Sequence, residues 1–188
     1  MASLNKRLRN GESAAFVELY EILGEQLFRY VYSQLKSTPD STDVVQEVFV
    51  RLVKSHRSLG RAKNLKGYVF ATARNEIIRW VKKQKRSPTE DAELTEANEI
   101  PSYRNLANNI EGSDWIENML GHLAKIDREI VQLKVFSQLT FEEIAIAMKS
   151  NTSSIATRYR RAINKLEQRL SASESAQTTT STFKTSNE

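Results

Sequence analysis

The sequence predicts an all-α protein of two small helical domains joined by a flexible acidic linker, the second a helix-turn-helix domain. Three observations lead to this fold class. Apolar residues recur at helical spacing through most of the 188 residues, and no segment alternates apolar and polar residues as a half-buried strand does. Only three prolines and six glycines are present, so long helices meet few interruptions. The charge, finally, falls into blocks along the chain.

The charge blocks set the predicted domain boundaries. Residues 1–86 carry 17 Lys and Arg against 8 Asp and Glu, residues 87–113 carry 1 against 6, and residues 114–170 carry 9 against 7. The acidic stretch contains Pro88 and Pro101 and shows little periodicity, which indicates a flexible linker. Two basic blocks around an acidic spacer favour domains that bind a polyanion, although a solvated charged surface gives the same totals.

Composition also disfavours several classes of function. No stretch approaches the roughly 20 apolar residues that a membrane span needs, and the first residues lack the apolar run of a secretory signal. The absence of cysteine excludes disulfides and thiolate metal sites. His56 and His122 are the only histidines, and the sequence contains no glycine-rich phosphate loop. We therefore expect a cytoplasmic protein that is not an enzyme, does not insert into a membrane and needs no cofactor or metal.

Helical periodicity predicts roughly four helices before the linker and four after it, and it places three of the first group. They are predicted over residues 12–35, 41–55 and 65–84, with a break at 38–41 whose Asp40 can cap the next helix and a loop at 58–64. Helices resume near Asp114 and continue to about Leu170. The last segment, residues 171–188, is rich in Ser and Thr and poor in aliphatic residues, which predicts a disordered tail.

Residues 139–166 carry the clearest local motif. Thr140 and Glu143 have the spacing of a capping box, and residues 141, 144, 145 and 148 form one apolar face. After a short break, Asn151 can cap a second helix, which has an apolar inner face. Its outer surface is polar and rich in arginine, and the predicted DNA-binding residues on it are Ser153, Ser154, Thr157, Arg158, Arg160 and Arg161. A helix-turn-helix presents such a face to the major groove, whereas a plain three-helix bundle leaves it solvated.

The long helix of the first block has a stripe of a single charge sign. Thr72, Asn75, Arg79, Lys82, Lys83 and Arg86 follow helical spacing and include four cations and no acid. A solvated helix usually mixes charges, so the stripe favours a nucleic-acid face. Tyr68 and Trp80 can stack on an unpaired base, although a tryptophan at helical spacing is more often part of a core.

On the preceding helix, Asp43, Gln46 and Glu47 share a face that needs no burial. By itself this polar face is most simply read as solvated surface.

Two longer stretches resemble a known family. Residues 11–16, 43–52, 67–75 and Trp80 resemble the second conserved region of extracytoplasmic-function sigma factors of bacterial RNA polymerase, and residues 123–145 with Arg158 and Arg161 resemble the fourth. The resemblance implies a sigma factor, with core RNA polymerase and promoter DNA as partners and an anti-sigma factor expected. In such a protein, residues 1–86 hold region two and residues 114–170 hold region four.

The resemblance also assigns roles to residues. It implies that Asp43, Gln46 and Glu47 dock on polymerase. The residues expected to open and hold the downstream promoter element are Lys66, Tyr68, Arg74, Asn75, Arg79, Trp80, Lys82 and Lys83, with the 58–64 loop receiving a flipped base. The upstream element would be read by the outer face of the second helix of the motif, which carries Ser153, Ser154, Thr157, Arg158, Arg160 and Arg161.

The chain departs from the family pattern at a few positions. Tyr68 stands where the family often has tryptophan, and Lys149 occupies a turn position that is usually glycine. If the backbone at Lys149 has positive φ, the lysine costs on the order of 1 kcal/mol. A stand-alone helix-turn-helix regulator is the alternative function, but it leaves the cationic stripe of the first block without a role.

Overall fold

The computed structural model describes residues 3–86 and 114–182, and these residues confirm the predicted all-α fold. Within these two ranges the regular secondary structure is entirely helical. The helices are α1 (Leu4–Arg9), α2 (Ser13–Leu35), α3 (Thr38–Lys54), α4 (His56–Leu59), α5 (Leu65–Arg86), α6 (Asp114–Gly121), α7 (Lys125–Val135), α8 (Phe141–Met148) and α9 (Thr152–Thr182). The predicted linker, residues 87–113, lies outside the described residues.

The start of α3 differs from the prediction. Ser37, not Asp40, is its N-cap, and the Ser37 side chain accepts a hydrogen bond from the Asp40 backbone N–H. Pro39 belongs to the first turn, where its missing N–H and fixed φ cost the helix nothing. Asp40 therefore lies inside the first turn, where its negative charge still favours the positive end of the helix.

The predicted loop at 58–64 is also partly helical. The short helix α4 includes Ser58 and Leu59, and Leu59 is fully buried in the core. The following helix begins after Asn64, whose side-chain oxygen accepts a hydrogen bond of 2.8 Å from the Gly67 N–H. Burial of Leu59 holds this segment against the core, which explains why a helical turn forms where the sequence indicated only a loop.

The helix-turn-helix of the second half is confirmed in detail. Thr140 and Glu143 form both hydrogen bonds of the capping box, at 3.2 Å and 2.7 Å. Asn151 Oδ1 accepts a 2.7 Å hydrogen bond from the Ser154 N–H at the start of α9. Between the two helices Lys149 adopts φ 53°, the left-handed conformation that favours glycine. The backbone at residue 149 therefore has positive φ, and its lysine is in a strained position.

The two halves share one hydrophobic core. Its fully buried members include Tyr30 and Phe70 from the first half and Ile130, Leu133 and Ile144 from the second. The most extensive packing between helices joins α5 to α8. A smaller cluster within the second half contains Leu120, Leu123, Val131 and Ala162. The sequence predicted the two helical units but did not predict that they pack against each other.

The end of the chain corrects one further prediction. Residues 171–182, predicted as part of a disordered tail, continue α9 as a helix. Extending an existing helix requires no new nucleation, and alanines at 172 and 176 favour the extension. Residues 183–188 lie outside the described part of the chain. Of the helices described, none has the combination of length and apolar content that crossing a lipid bilayer takes.

Candidate nucleic-acid interface

The first half of α9 presents a polar surface on the outside of the molecule. Ile155 and Ala162 are buried on its inner side, which turns the predicted DNA-binding residues outward. Ser153, Arg158, Arg160 and Arg161 are exposed, and Ser154 and Thr157 are half-buried. Five of these six residues, together with Asn151 and Asp127, line one concave surface that encloses a volume of about 530 Å³. Arg160 is exposed but does not line it.

Arg158 on this surface has an acidic partner from another helix. Its Nη1 donates a 2.8 Å hydrogen bond to Asp127 Oδ1, near the start of α7. The side chains are 44% and 27% exposed, so water screens the pair and its contribution to stability is small. The contact instead fixes the direction of the guanidinium. Because the two residues are 31 positions apart, no local pattern in the sequence indicated this pair.

The polar face of α3 is exposed as predicted. Asp43, Gln46 and Glu47 point to solvent because Val45 and Val48 are buried on the opposite side of the helix. Glu47 forms an ion pair of 3.1 Å with Arg51 one turn later. The three side chains therefore form a compact hydrophilic patch that the fold of the first half leaves free for a partner.

On α5, the structure exposes part of the predicted cationic stripe. Asn75, Arg79, Lys82 and Lys83 are exposed, whereas Trp80 is half-buried and packs on the core. A concave surface of about 440 Å³ between α3 and α5 brings several of these residues close to the α3 patch. Its lining consists of Asp43, Val44, Glu47, Arg51, Glu76, Arg79, Trp80 and Lys83.

The 5% exposed Glu76 holds two arginines of this concave surface. Its Oε1 lies 2.6 Å from Arg51 Nε and 2.7 Å from Arg79 Nη1. A carboxylate buried this far needs such cationic partners to offset its desolvation. Glu76 thus connects α3 with α5 and directs the Arg79 side chain, a role the sequence analysis did not assign to it.

Lys66 and Arg74 lie on a different side of α5 from the exposed stripe. Lys66 Nζ donates a 3.3 Å hydrogen bond to the Gln138 carbonyl oxygen, and Arg74 pairs with Glu129 on α7. Tyr68 is half-buried and packs on the core. The structure therefore does not bring all eight residues predicted for the downstream element onto one open surface, because the second half of the chain covers part of α5.

Arg74, Glu129 and Tyr30 form a buried polar cluster. Arg74 Nε and Nη2 donate to the two oxygens of Glu129 at 2.9 and 3.2 Å, and the Tyr30 hydroxyl donates to Glu129 Oε1 at 2.8 Å. Tyr30 is fully buried and Glu129 is 8% exposed. The carboxylate thus has partners for both oxygens, as a buried charge requires.

Burial and the Glu129 charge shift the pKa values of this cluster. Burial, followed by the charge and hydrogen bond of Glu129, raises the pKa of Tyr30 well above its ordinary value. At Arg74, burial acts to lower the pKa, but the hydrogen bonds and charge of Glu129 outweigh it and the pKa is raised. Burial lowers the pKa of Lys66, against an opposing effect of the Glu143 carboxylate.

Three acidic residues of these surfaces, Asp127, Glu129 and Glu76, were not singled out as sites from the sequence. Glu129 lies within the stretch that resembles region four, but its partners Tyr30 and Arg74 are 99 and 55 positions away. Helical spacing identifies residues that share a face and gives no information on a contact over such a distance. The one available signal in the sequence was that the apolar residues Ile130 and Val131 directly follow Glu129.

Comparison with family models matches both halves of the chain. Residues 19–87 match sigma-70 region 2, and residues 113–166 match sigma-70 region 4. The first match contains the α3 patch and the α5 stripe, and the second contains the helix-turn-helix. The matches follow the two stretches whose resemblance was noted in the sequence.

Curated relatives align along most of the chain. The ECF RNA polymerase sigma factor SigW of Bacillus subtilis (strain 168) is 21% identical over 175 residues, which cover 88% of this chain and 94% of SigW. The sigma factor SigM of the same organism is 24% identical, covering 81% of this chain and 94% of SigM.

Solved structures share the fold. CnrH, in complex with the cytosolic domain of CnrY, matches with a TM-score of 0.66 at 20% identity, over 90% of this chain and 96% of CnrH. The sigma factor RpoE of Bartonella quintana, in complex with the anti-sigma factor NepR, matches with a TM-score of 0.60 at 22% identity, over 83% of this chain and 96% of RpoE.

Proposed function

The chain belongs to the extracytoplasmic-function group of the sigma-70 family, and from this premise we propose how its surfaces direct RNA polymerase to promoters. As a sigma factor, it acts in transcription initiation. The assignment of roles rests on two separate polar surfaces. One lies on α9 and the other lies between α3 and α5, and each faces outward because the opposite side of its helices is apolar and buried. Each surface has the chemistry of a different task.

The α9 surface is proposed to read the upstream promoter element. Three arginines and three small hydroxyl-bearing residues cover its outer side, and the capping box and Asn151 fix the start of both helices of the motif. Arginine can bind guanine through two hydrogen bonds or clamp a phosphate, and serine or threonine adds single hydrogen bonds. Arg158, already oriented by Asp127, is the residue to which we assign base recognition.

The α5 surface is proposed to hold the downstream element after strand opening. Arg79, Lys82 and Lys83 supply positive charge for the phosphates, and Asn75 supplies a hydrogen-bonding side chain. Unstacking a base step costs a few kcal/mol, which phosphate contacts and capture of the extruded base offset. Lys66, Tyr68, Arg74 and Trp80 stay assigned to the same element, with Lys66 and Arg74 becoming available only when the second half moves away.

The α3 patch is proposed to dock on core RNA polymerase. Asp43, Gln46 and Glu47 are exposed, polar and net negative, which is unsuited to DNA and suited to a basic or polar protein surface. The patch lies next to the α5 stripe, so polymerase bound there would hold the opened strand against α5. This chain supplies recognition, whereas polymerase supplies the chemistry; the protein itself is therefore not proposed to be an enzyme.

An anti-sigma factor and a location in the cytoplasm complete the proposal. CnrH and RpoE were solved with CnrY and NepR, and we propose that an anti-sigma factor also controls this chain. Since polymerase and promoter DNA are in the bacterial cytoplasm, the protein is proposed to work there.

Transcription with purified core polymerase on a library of random promoters tests this function. We expect transcripts that depend on the added protein and that start downstream of one shared two-part element. Polymerase without the protein serves as the control. If the same transcripts arise with and without the protein, the proposed function is wrong.

A further inference from the structure

A further cationic surface involves the first helix of the chain and lies outside the surfaces described above. Residues 1–11 and 48–75 contain ten Lys and Arg and no Asp or Glu. The α1–α4 surface is defined here by the exposed cations on α1, on α4 and on the segment between α4 and α5, which are Lys6, Arg9, Arg57, Arg61 and Lys63. The match to sigma-70 region 2 begins at residue 19, so it assigns no role to α1.

Close contacts hold α1 against the segment that follows α4. Asn5 Nδ2 donates a 3.3 Å hydrogen bond to the Ala62 carbonyl oxygen. A Cβ atom at Gly60 would lie 2.5 Å from the Arg9 backbone nitrogen, so the absence of a side chain at this position lets α1 approach so closely. The cations of α1 therefore lie beside those of residues 57–63.

Buried residues fix the backbone under these exposed cations. Leu8 of α1 and Leu59 of α4 are both fully buried in the core. His56 Nδ1 lies 2.9 Å from the Arg9 carbonyl oxygen and connects α4 with the end of α1. A partner that binds a surface with a fixed backbone loses less free energy to ordering than one that binds a mobile segment.

None of the five cations has an acidic partner among residues 3–86 and 114–182. Glu12 and Glu18, the acids that follow α1 in the chain, are both paired with Arg7. A solvated surface usually mixes charges of both signs, so a group of unpaired cations favours a polyanionic partner.

The position of the surface in the fold favours DNA over other polyanions. Arg61 and Lys63 belong to residues 58–64, the segment that the family resemblance assigns to a flipped base. An opened strand whose base enters there passes directly beside α1. The exposed Arg79 lies roughly 20 Å along the axis of α5 from Leu65, so the α5 stripe contacts a different part of the same strand.

We propose that the α1–α4 surface binds the phosphates of the opened promoter strand on the side of the flipped base that is remote from the α5 stripe. The proposal rests on the proposed function and adds a contact surface to it. Each arginine can donate two hydrogen bonds to one phosphate, and each lysine adds a point charge. The helix α1 thereby becomes part of the DNA-binding surface.

A site-directed cross-link tests the position of the strand. The chain has no cysteine, so Lys6→Cys provides a single attachment point for a photoactivated cross-linker. In the complex with core polymerase on a promoter selected from the library, illumination should join residue 6 to the opened strand near the flipped base. Lys36→Cys is the matched control, because it lies beyond the far end of α2, about 30 Å along the helix axis from α1. Equal cross-linking to DNA from residues 6 and 36 would overturn the proposal.

The salt dependence of binding tests the phosphate contacts. Lys6→Gln and Arg61→Gln each remove one exposed charge, and both sites are accessible in the free protein. We measure binding of a fluorescent single-stranded oligothymidylate and plot the logarithm of the affinity against the logarithm of the salt concentration. Each substitution should reduce the steepness of this plot by about 0.7, and the double variant should reduce it by about 1.4. Lys36→Gln should leave it unchanged, and an equal reduction in this control would contradict the proposal.

The two levels of the proposal can fail separately. If the unmodified protein directs no transcription with core polymerase, the proposed function itself is wrong. If it directs transcription, but residue 6 gives no more cross-linking to DNA than residue 36 and the salt dependence does not change, only the role of the α1–α4 surface is refuted. Circular dichroism of each variant checks that the fold is intact.

Discussion

Arg158 and Asp127 form a 2.8 Å ion pair across the concave surface of the helix-turn-helix, which places a carboxylate among the proposed DNA-reading residues. A carboxylate near DNA repels phosphates, so its presence calls for a compensating role. Asp127 takes one edge of the Arg158 guanidinium, and the remaining donors of the planar group keep a fixed direction for a base. We interpret Asp127 as the residue that positions Arg158.

We predict that Asp127→Asn lowers selectivity for the upstream element while leaving total DNA binding unchanged or slightly stronger. Asparagine keeps a hydrogen-bond acceptor but removes the charge that orients the arginine. Arg158→Ala should cost about 1–3 kcal/mol at the recognised position. Sequencing transcripts from promoters with a randomised upstream element gives the preference at each base. Glu167→Gln, the same charge change at an exposed site on α9, is the control. Retained selectivity in Asp127→Asn would show that Arg158 needs no positioning.

Gln46→Ala and Glu47→Ala are predicted to weaken association with core polymerase, whereas Arg158→Ala is not. Gln46 and Glu47 are exposed, so truncation removes a docking contact without disturbing the core. Pull-down of core polymerase in the absence of DNA measures the effect. Glu25→Ala is a matched control, because Glu25 also pairs with an arginine one turn later on an exposed helix face. Similar pull-down by all four variants would argue against the division of tasks between the two halves.

Lys149→Gly is predicted to raise the free energy of unfolding by about 0.5–1 kcal/mol. Lysine at φ 53° is strained, and glycine removes the strain at some cost in unfolded-state entropy. Urea unfolding followed by circular dichroism measures the change. Lys83→Gly, inside the exposed part of α5, should instead lose about 1 kcal/mol. If both variants lose stability, the left-handed backbone at residue 149 is not a source of strain.

Tyr30 is predicted to make the folded protein less stable above pH 10. Burial and Glu129 raise its pKa above the ordinary value of 10.0, so the folded state holds this proton more tightly than the unfolded state. The resulting stability is fully present below pH 10 and is lost as the pH rises toward the folded-state pKa. Urea unfolding of the parent and of Tyr30→Phe between about pH 9 and 11 should show a steeper decline for the parent.

Ultraviolet titration of the phenols provides an independent check on Tyr30. While the protein is folded, the parent and Tyr30→Phe should ionise the same number of phenols, and the difference of one should appear only on unfolding. An extra phenol that ionises in the folded parent would contradict the predicted shift.

The local features of this protein could be predicted from its amino-acid sequence. The capping box of Thr140 and Glu143, the cap at Asn151 and the exposed α3 patch were predicted because each depends on residues within one or two turns of helix. The start of α3 was placed wrongly for a related reason, since Ser37 and Asp40 are both good capping residues only three positions apart. Family resemblance then linked these local features to promoter recognition.

Which helix faces are covered could be read only from the packing of the helices against one another. Helical spacing placed Lys66 and Arg74 on α5 but could not reveal that α7, α8 and the loop between them lie against that side. The same holds for Asp127, whose role depends on a partner 31 positions away. Helical periodicity determines which side chains share one face of a helix. Which other residues contact that face is determined by the packing energy between segments that are far apart in the sequence.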